Sequence, residues 1–115
     1  TYGGKKSATK ISTSTKCTLN IYRGRIIKDG TTVTNVTTGT YSNVNANIRL
    51  FAKAGTPSNY ANMKLHGFKI FDNGALIRDI IPVLDVNGVA CLYDTLTDKY
   101  YYNGGTGVFT QGSAV

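Results

Sequence analysis

The chain has 115 residues and 12.4 kDa, which is room for one domain. Thr (16), Gly (13), Asn (10) and Tyr (8) are abundant, while Glu and Trp are absent; strand and turn formers outweigh helix formers, which excludes helical bundles, coiled coils and α/β nucleotide-binding folds. Hydrophobic residues reach 41%, too many for a disordered chain, no apolar run approaches the ~20 residues of a membrane span, and net charge is +7.

Residues 1–15 are polar and rich in Gly, Ser and Thr, and read as a linker or one weak strand at Ala8–Ser12. Cys17–Tyr22 and Arg25–Lys28 follow as strands. Asp29-Gly30 then signals a two-residue type I′ hairpin, which needs φ > 0 at both positions. Thr31–Val36 returns, and residues 37–46 are polar loop. Asn47–Ala54 alternates like a strand, and Gly55–Asn62 is turn-rich. Met63–Asp72 reads as a long strand, Asn73-Gly74 as a second hairpin turn, and Ala75–Leu84 as its return. Pro82 in that return belongs on an edge or at a bulge, because it cannot donate to a ladder. Asp85–Gly88 is another turn. Val89–Tyr93 and Lys99–Asn103 form a third hairpin around Asp94–Asp98, and Val108–Thr110 is a short last strand.

Eight or nine short strands at this spacing predict an antiparallel all-β protein. Several strands are apolar on both faces, which favours two stacked sheets. Phe68, Ile70, Ile81, Leu92 and Phe109 are the expected core.

Charge is uneven. Residues 1–57 carry nine Lys and Arg against Asp29, whereas residues 58–115 carry four against five Asp. The basic half suits anionic partners such as teichoic acid or sulfated glycans, or serves solubility and pairing with an acidic neighbour. No stacked aromatic–basic platform marks a specific nucleic-acid module. Cys17 and Cys91 lie in apolar runs, where free Cys acts as a small hydrophobe.

The run Phe68-Lys69-Ile70-Phe71-Asp72-Asn73-Gly74, then Leu76-Ile77-Arg78-Asp79-Ile80-Ile81-Pro82-Val83, then Gly88-Val89-Ala90 with Leu92-Tyr93-Asp94, closes on Asn103, Gly105-Thr106-Gly107 and Phe109. This string resembles the C-terminal part of laminin-G-like, concanavalin-A-like jelly-roll domains. The nearest in character are those of phage tail and receptor-binding proteins and of related bacterial surface proteins. The resemblance covers roughly the last two-thirds of the chain, with residues 16–47 looking like preceding strands. It implies an all-β jelly-roll-like sandwich over 16–115. It also implies a carbohydrate-recognition or adhesion role, and a place on a virion or on the outside of a bacterial cell. Complete sandwiches of this kind are about twice as long. The expectation is therefore a larger parent protein, a partner chain supplying strands, or a homo-oligomer. A purely structural β-rich subunit that self-assembles into a fibre, tail or filament is the alternative.

Chemistry is sparse. Glycosidases of this fold use paired carboxylates. Glu is absent, and five of the six Asp sit at turns, leaving Asp79 alone in mid-strand. The chain therefore reads as a non-enzyme. Arg78 and Asp79 point to opposite faces and are expected to pair across strands rather than form a dyad. His66 has no nucleophile or ligand partner at motif spacing. No cofactor is implied. Calcium, which laminin-G-like domains often hold at a sheet rim, would use Asp85, Asn87, Asp94 and Asp98, although turn chemistry accounts for the same residues. Sugar binding needs exposed aromatic faces beside hydrogen-bonding side chains. Asn59 with Tyr60, and the triplet Tyr100-Tyr101-Tyr102 with Asn103, meet that test, with Tyr101 taken as the triplet's binding residue. Alternation sends Tyr101 to one face, and Tyr100 and Tyr102 to the other.

Overall fold

The computed structural model describes residues 15–22, 25–35, 48–50 and 62–113. The chain divides into two compact units, Thr1–Asn45 and Ala46–Val115. Every regular element described is a β-strand, and each unit carries one antiparallel sheet.

The first unit contains β1 (Leu19–Tyr22), β2 (Arg25–Lys28) and β3 (Thr31–Asn35), ordered β1-β2-β3. Asp29 and Gly30 have φ of 48° and 81°, as a type I′ turn demands, and Lys28 pairs with Thr31 across it. Ile26 pairs with Thr34 and Ile27 with Thr32, so Val33 is the extra residue of a β-bulge. Asp29 fastens the sheet's end. Its N–H donates to the Thr18 carbonyl at 3.0 Å, and its Oδ1 accepts from the Thr18 N–H at 2.8 Å. Ile26 is the buried hydrophobic residue described in this unit.

The second unit is a four-stranded meander of β4 (Phe68–Asp72), β5 (Ala75–Leu84), β6 (Ala90–Asp94) and β7 (Lys99–Tyr101). Asn73 and Gly74, at φ 47° and 85°, turn β4 into β5. Ile70 pairs with Arg78 and Phe71 with Leu76, which makes Ile77 the bulged residue.

Directly opposed residues of an antiparallel sheet share a face. One face thus carries Phe68, Ile80, Leu92 and Asp94, and the other Lys69, Asp79, Ile81, Cys91, Tyr93 and Tyr100. Ile80, Leu92 and Asp94 are buried on the first face and Cys91 on the second. Of the expected core, Leu92 is buried, while Phe68, Ile70 and Phe109 are half-buried. Ile81 is a correction. It pairs with Tyr93 on the second face and is 38% exposed, and its neighbour Ile80 takes the core position.

Three of the expected strands also come out differently. β4 begins at Phe68 instead of Met63, and Pro82 explains where it starts. The Asp85 N–H bonds Val89 on the β6 side. Backbone groups alternate between neighbours, so the Pro82 nitrogen, three residues back, faces the β4 side. With no N–H there, the ladder has no donor beyond the Phe68–Ile80 pair. Residues 108–110 form no strand. Of the alternating stretch Asn47–Ala54, the described residues 48–50 form no strand, and the remainder lies outside the described residues.

Candidate functional site

The second face of β5, β6 and β7 gathers aromatic rings and carboxylates. The β6–β7 register sets Tyr93 opposite Tyr100, with ring centroids 4.8 Å apart and planes tilted by 39°. Tyr100 in turn stacks with Tyr102, two residues on, at 6.5 Å. The three rings form a continuous strip along a sheet edge. Tyr100 is 47% exposed and Tyr102 53%, so both present ring surface to solvent.

Each end of the strip is fixed by an aspartate from a turn. The Tyr93 hydroxyl donates to Asp98 Oδ1 at 2.5 Å, and the Tyr102 hydroxyl donates to Asp85 Oδ2 at 3.1 Å. Asp98 has φ 53°, a left-handed conformation that Asp and Asn tolerate better than most residues, and it closes the β6–β7 turn. Asp85 builds the β5–β6 turn by accepting the N–H groups of Asn87 (2.9 Å) and Val89 (2.8 Å) at Oδ1. The hydrogen bond to Asp98, followed by burial, raises the Tyr93 phenol above its ordinary range. The bond to Asp85 does the same for Tyr102. The Val89 N–H holds the Asp85 carboxyl below its ordinary range against the opposing effect of burial. The phenols therefore stay neutral and Asp85 stays charged.

Cys91, on the same face as the strip, is 2% exposed, and burial pushes its thiol up. Cys91 and Cys17 are both free thiols. Beside Tyr102 an open groove of ≈ 220 Å³ runs between Val89, Ala90, Asn103, Val108 and Phe109. That is smaller than the ~300–1,000 Å³ of sites that engulf a ligand. The groove is an open surface feature and not an enclosed cavity.

The opposite face is built differently. Asp94 is 0% exposed. Its Oδ1 accepts the N–H groups of Asp79 (3.1 Å) and Leu96 (3.2 Å), its Oδ2 the Thr97 hydroxyl (2.7 Å), and Arg78 Nε lies 3.4 Å away. Burial alone would raise the Asp94 carboxyl. The Thr97 hydroxyl, the two N–H groups and Arg78 outweigh it and hold the carboxyl low. Asp94 is thus the anchor of the β6–β7 turn. Arg78 and Asp79 do pair on opposite faces, Arg78 with Asp94 and Asp79 with Lys69 at 3.0 Å.

The sugar-binding residues expected from sequence fall in different places. Asn59 and Tyr60 lie outside the described residues. Tyr101 is half-buried on the face away from the strip, with Lys99 Nζ 5.3 Å from its ring centroid. Asn103 spends its side chain on a local turn, donating to the Gly105 and Gly107 carbonyls and accepting from the Gly105 N–H. Of the four calcium candidates, Asp85 and Asp94 have both carboxylate oxygens engaged by donors of the chain, and Asp98 has one. No group of three or more His, Cys or Asp that could hold a metal ion occurs among the described residues.

Tyr93, Asp85 and Asp98 are strip residues that the sequence reading did not assign to sugar binding. Counting outward from the β6–β7 turn would have found Tyr93, provided that Asp94 is placed in the strand. Placing Asp94 in the turn slips the register by one residue and faces Tyr93 with Lys99 instead of Tyr100.

No family model, curated protein or solved structure matches the chain.

Proposed function

We propose that the chain is a non-enzymatic carbohydrate-recognition or adhesion module, with the Tyr93–Tyr100–Tyr102 strip as its binding surface. The carrying observation is the pair of solvent-facing rings, Tyr100 and Tyr102, stacked on one another, with the hydroxyls of Tyr102 and the adjoining Tyr93 hydrogen-bonded to Asp85 and Asp98. An aromatic face offers apolar surface to the C–H side of a pyranose, and adjacent acceptors take its hydroxyl protons. Two antiparallel sheets suit the jelly-roll-like sandwich that the laminin-G-like resemblance implies. The same resemblance supplies the setting, a phage tail or bacterial surface protein. The missing Glu and the engaged Asp side chains support a binding role over hydrolysis.

Titration with oligosaccharides, followed by tyrosine fluorescence, tests the reading. Tyr100→Ala should abolish a glycan response that Tyr101→Ala leaves intact. A response lost equally with both variants would overturn the strip as the surface.

The second reading is a structural subunit that assembles without a ligand. It is favoured by exposed apolar side chains on or near sheet edges, Leu19, Ile21 and Tyr22 in β1 and Phe71 in β4. Sedimentation of the full chain at micromolar concentration separates the two: a glycan-binding monomer excludes assembly as the function.

A further inference from the structure

The charge of the strip contradicts the charge of the chain. The whole sequence carries +7 and on that ground suits anionic polymers. Thr1–Asn45, however, holds seven Lys and Arg against one Asp, and Ala46–Val115 holds six against five. At strand positions on the strip's own face the one cation is Lys69, and it is paired with Asp79 at 3.0 Å. Lys99 lies on the opposite face, over Tyr101. The two carboxylates at the ends of the strip, Asp85 and Asp98, have hydrogen-bond donors but no ion-pair partner among the described residues.

Donor and acceptor polarity points the same way. Tyr93 and Tyr102 already donate their hydroxyl hydrogen bonds to Asp98 and Asp85. What those phenols offer a ligand is oxygen lone pairs. The ring faces between them carry the negative side of the aromatic quadrupole. A ligand lying along the strip thus meets acceptors, π faces and two carboxylates, with no free cation on that face among the described strand residues.

Resting on the glycan-recognition reading above, we infer that the strip is selective for glycans bearing free amines, that is, oligomers of de-N-acetylated amino sugars, and rejects uronic-acid and sulfated glycans. The ammonium is drawn to Asp85, Asp98 and the ring faces, while the pyranose C–H face covers Tyr100 and Tyr102. Each attraction is modest at an exposed site, and together they amount to about a fivefold preference over the N-acetylated sugar.

The test titrates the full chain with three trimers at a pH where the amine is protonated: β-1,4-linked glucosamine, its N-acetylated counterpart, and a uronic-acid oligomer. Tyrosine ring resonances report where each binds. The expected result is the amine trimer about fivefold tighter than the N-acetylated one, with no shift of the Tyr100 and Tyr102 resonances by the uronic-acid oligomer. The double variant Asp85→Asn/Asp98→Asn removes the charge and keeps the turns. Asn also tolerates φ 53° at position 98, and its carbonyl oxygen still accepts from the phenol. In that variant the amine-to-acetyl ratio should fall close to one, with an unchanged near-UV spectrum showing the fold intact. Equal affinity for amine and N-acetyl trimers in the unmodified chain, or tighter binding of the acidic oligomer at the strip, overturns the selectivity and leaves glycan recognition standing. Failure of all three to bind, while neutral hexose oligomers also fail, removes the recognition reading and this inference with it.

Discussion

The two sheets begin from the same turn chemistry and end with different anchoring. Asp29-Gly30 and Asn73-Gly74 adopt nearly identical left-handed pairs, 48° and 81° against 47° and 85°. Each sheet also has an aspartate that ties a turn to a neighbouring strand. In the first sheet Asp29 is exposed, with its partners at Thr18 and Lys28 open to water. In the second sheet Asp94 is shut away from solvent and satisfied by three hydrogen bonds and Arg78. Water competes for every contact of the former and for few of the latter, so similar bonds constrain the chain to different degrees. The stacked tyrosines hang from the second type of turn. A hairpin signal in the sequence therefore fixes where a chain reverses. Burial around the turn decides whether that reversal can hold a binding surface still.

The largest expected effect tests the cores themselves. Leu92→Ala should cost the second sheet about 3 kcal/mol, the usual loss for a buried leucine. Ile26→Ala should cost the first sheet about 2 kcal/mol, the low end for a buried aliphatic side chain, since Ile26 is the one buried hydrophobic among that unit's described residues. Amide hydrogen exchange read separately on β2 and β6 gives both values. A larger loss for Ile26→Ala would reverse the comparison and make the basic sheet the better packed one.

The anchors come next. Asp94→Ala leaves two backbone N–H groups, the Thr97 hydroxyl and Arg78 without their acceptor. A drop in melting temperature of about 5–8 °C is expected, as for a domain this size losing buried hydrogen bonds. Asp29→Ala exposes its former partners to water that already reaches them, and the drop should stay within about 2 °C. The Tyr93 and Tyr100 ring resonances should broaden in Asp94→Ala and not in Asp29→Ala. Equal drops would mean that burial of the anchor is not what separates the sheets.

The turns should show almost no difference. A Cβ added at Gly30 or Gly74 meets nothing within 4 Å, so only the left-handed backbone opposes alanine. Gly30→Ala and Gly74→Ala should each cost about 1 kcal/mol, and the two values should agree. Urea denaturation of the two variants, with unchanged slope, measures this. A clear inequality would show that packing around the turns, and not φ, sets the cost.

How far the sequence carried follows from the same contrast. Local signals were legible: the two-residue turns at Asp29-Gly30 and Asn73-Gly74, the strand type, and the opposite pairing of Arg78 and Asp79 all follow from neighbours in the chain. What required register was not. Ile80 and Ile81 have the same hydrophobicity, and only pairing with Asp94 and Tyr93 tells which one faces the core. Alternation separates Tyr101 from Tyr100 and Tyr102, and only the register, Leu92 with Tyr101 and Tyr93 with Tyr100, tells which side joins Tyr93 in the strip. Asp94 is indistinguishable in sequence from the turn aspartates around it, because its burial is created by strands that come together from residues 78–80 and 92–97. The uneven charge was legible as well: residues 1–57 against 58–115 already separate a basic part from a near-neutral one, and the structure moves that boundary to Asn45.

The smallest expected effect is the response to pH, and its sign is set by which form each group favours when folded. Asp29, Asp85 and Asp94 all have carboxyls held below the ordinary value of 3.8. A depressed folded value adds stability that is fully present above 3.8 and disappears as pH falls through the folded values. Two of these groups belong to the second unit and one, exposed, to the first, so the acid limb should be steeper for β5–β6–β7 than for β1–β2–β3. The alkaline side separates the units further. Cys91, Tyr93 and Tyr102 are raised above 9.0, 10.0 and 10.0. Their contribution is complete below those values and is lost as pH rises through the folded ones, which gives the second unit a loss beginning near 9.0. In the first unit Lys28 is raised above 10.5 by its hydrogen bond to Asp29, an exposed pair that salt screens. Melting temperature followed between pH 2 and 11, with the Tyr22 and Tyr93 ring signals as reporters, should show an alkaline decline for Tyr93 that persists in 1 M salt, and for Tyr22 one that vanishes. Tyr93→Phe removes the phenol that Asp98 holds neutral and should flatten part of the second unit's decline. If the decline is unchanged in that variant and also disappears in salt, the Tyr93–Asp98 contact is no firmer than the surface pair in the other sheet, and the strip it supports has no better anchor than Lys28 and Asp29.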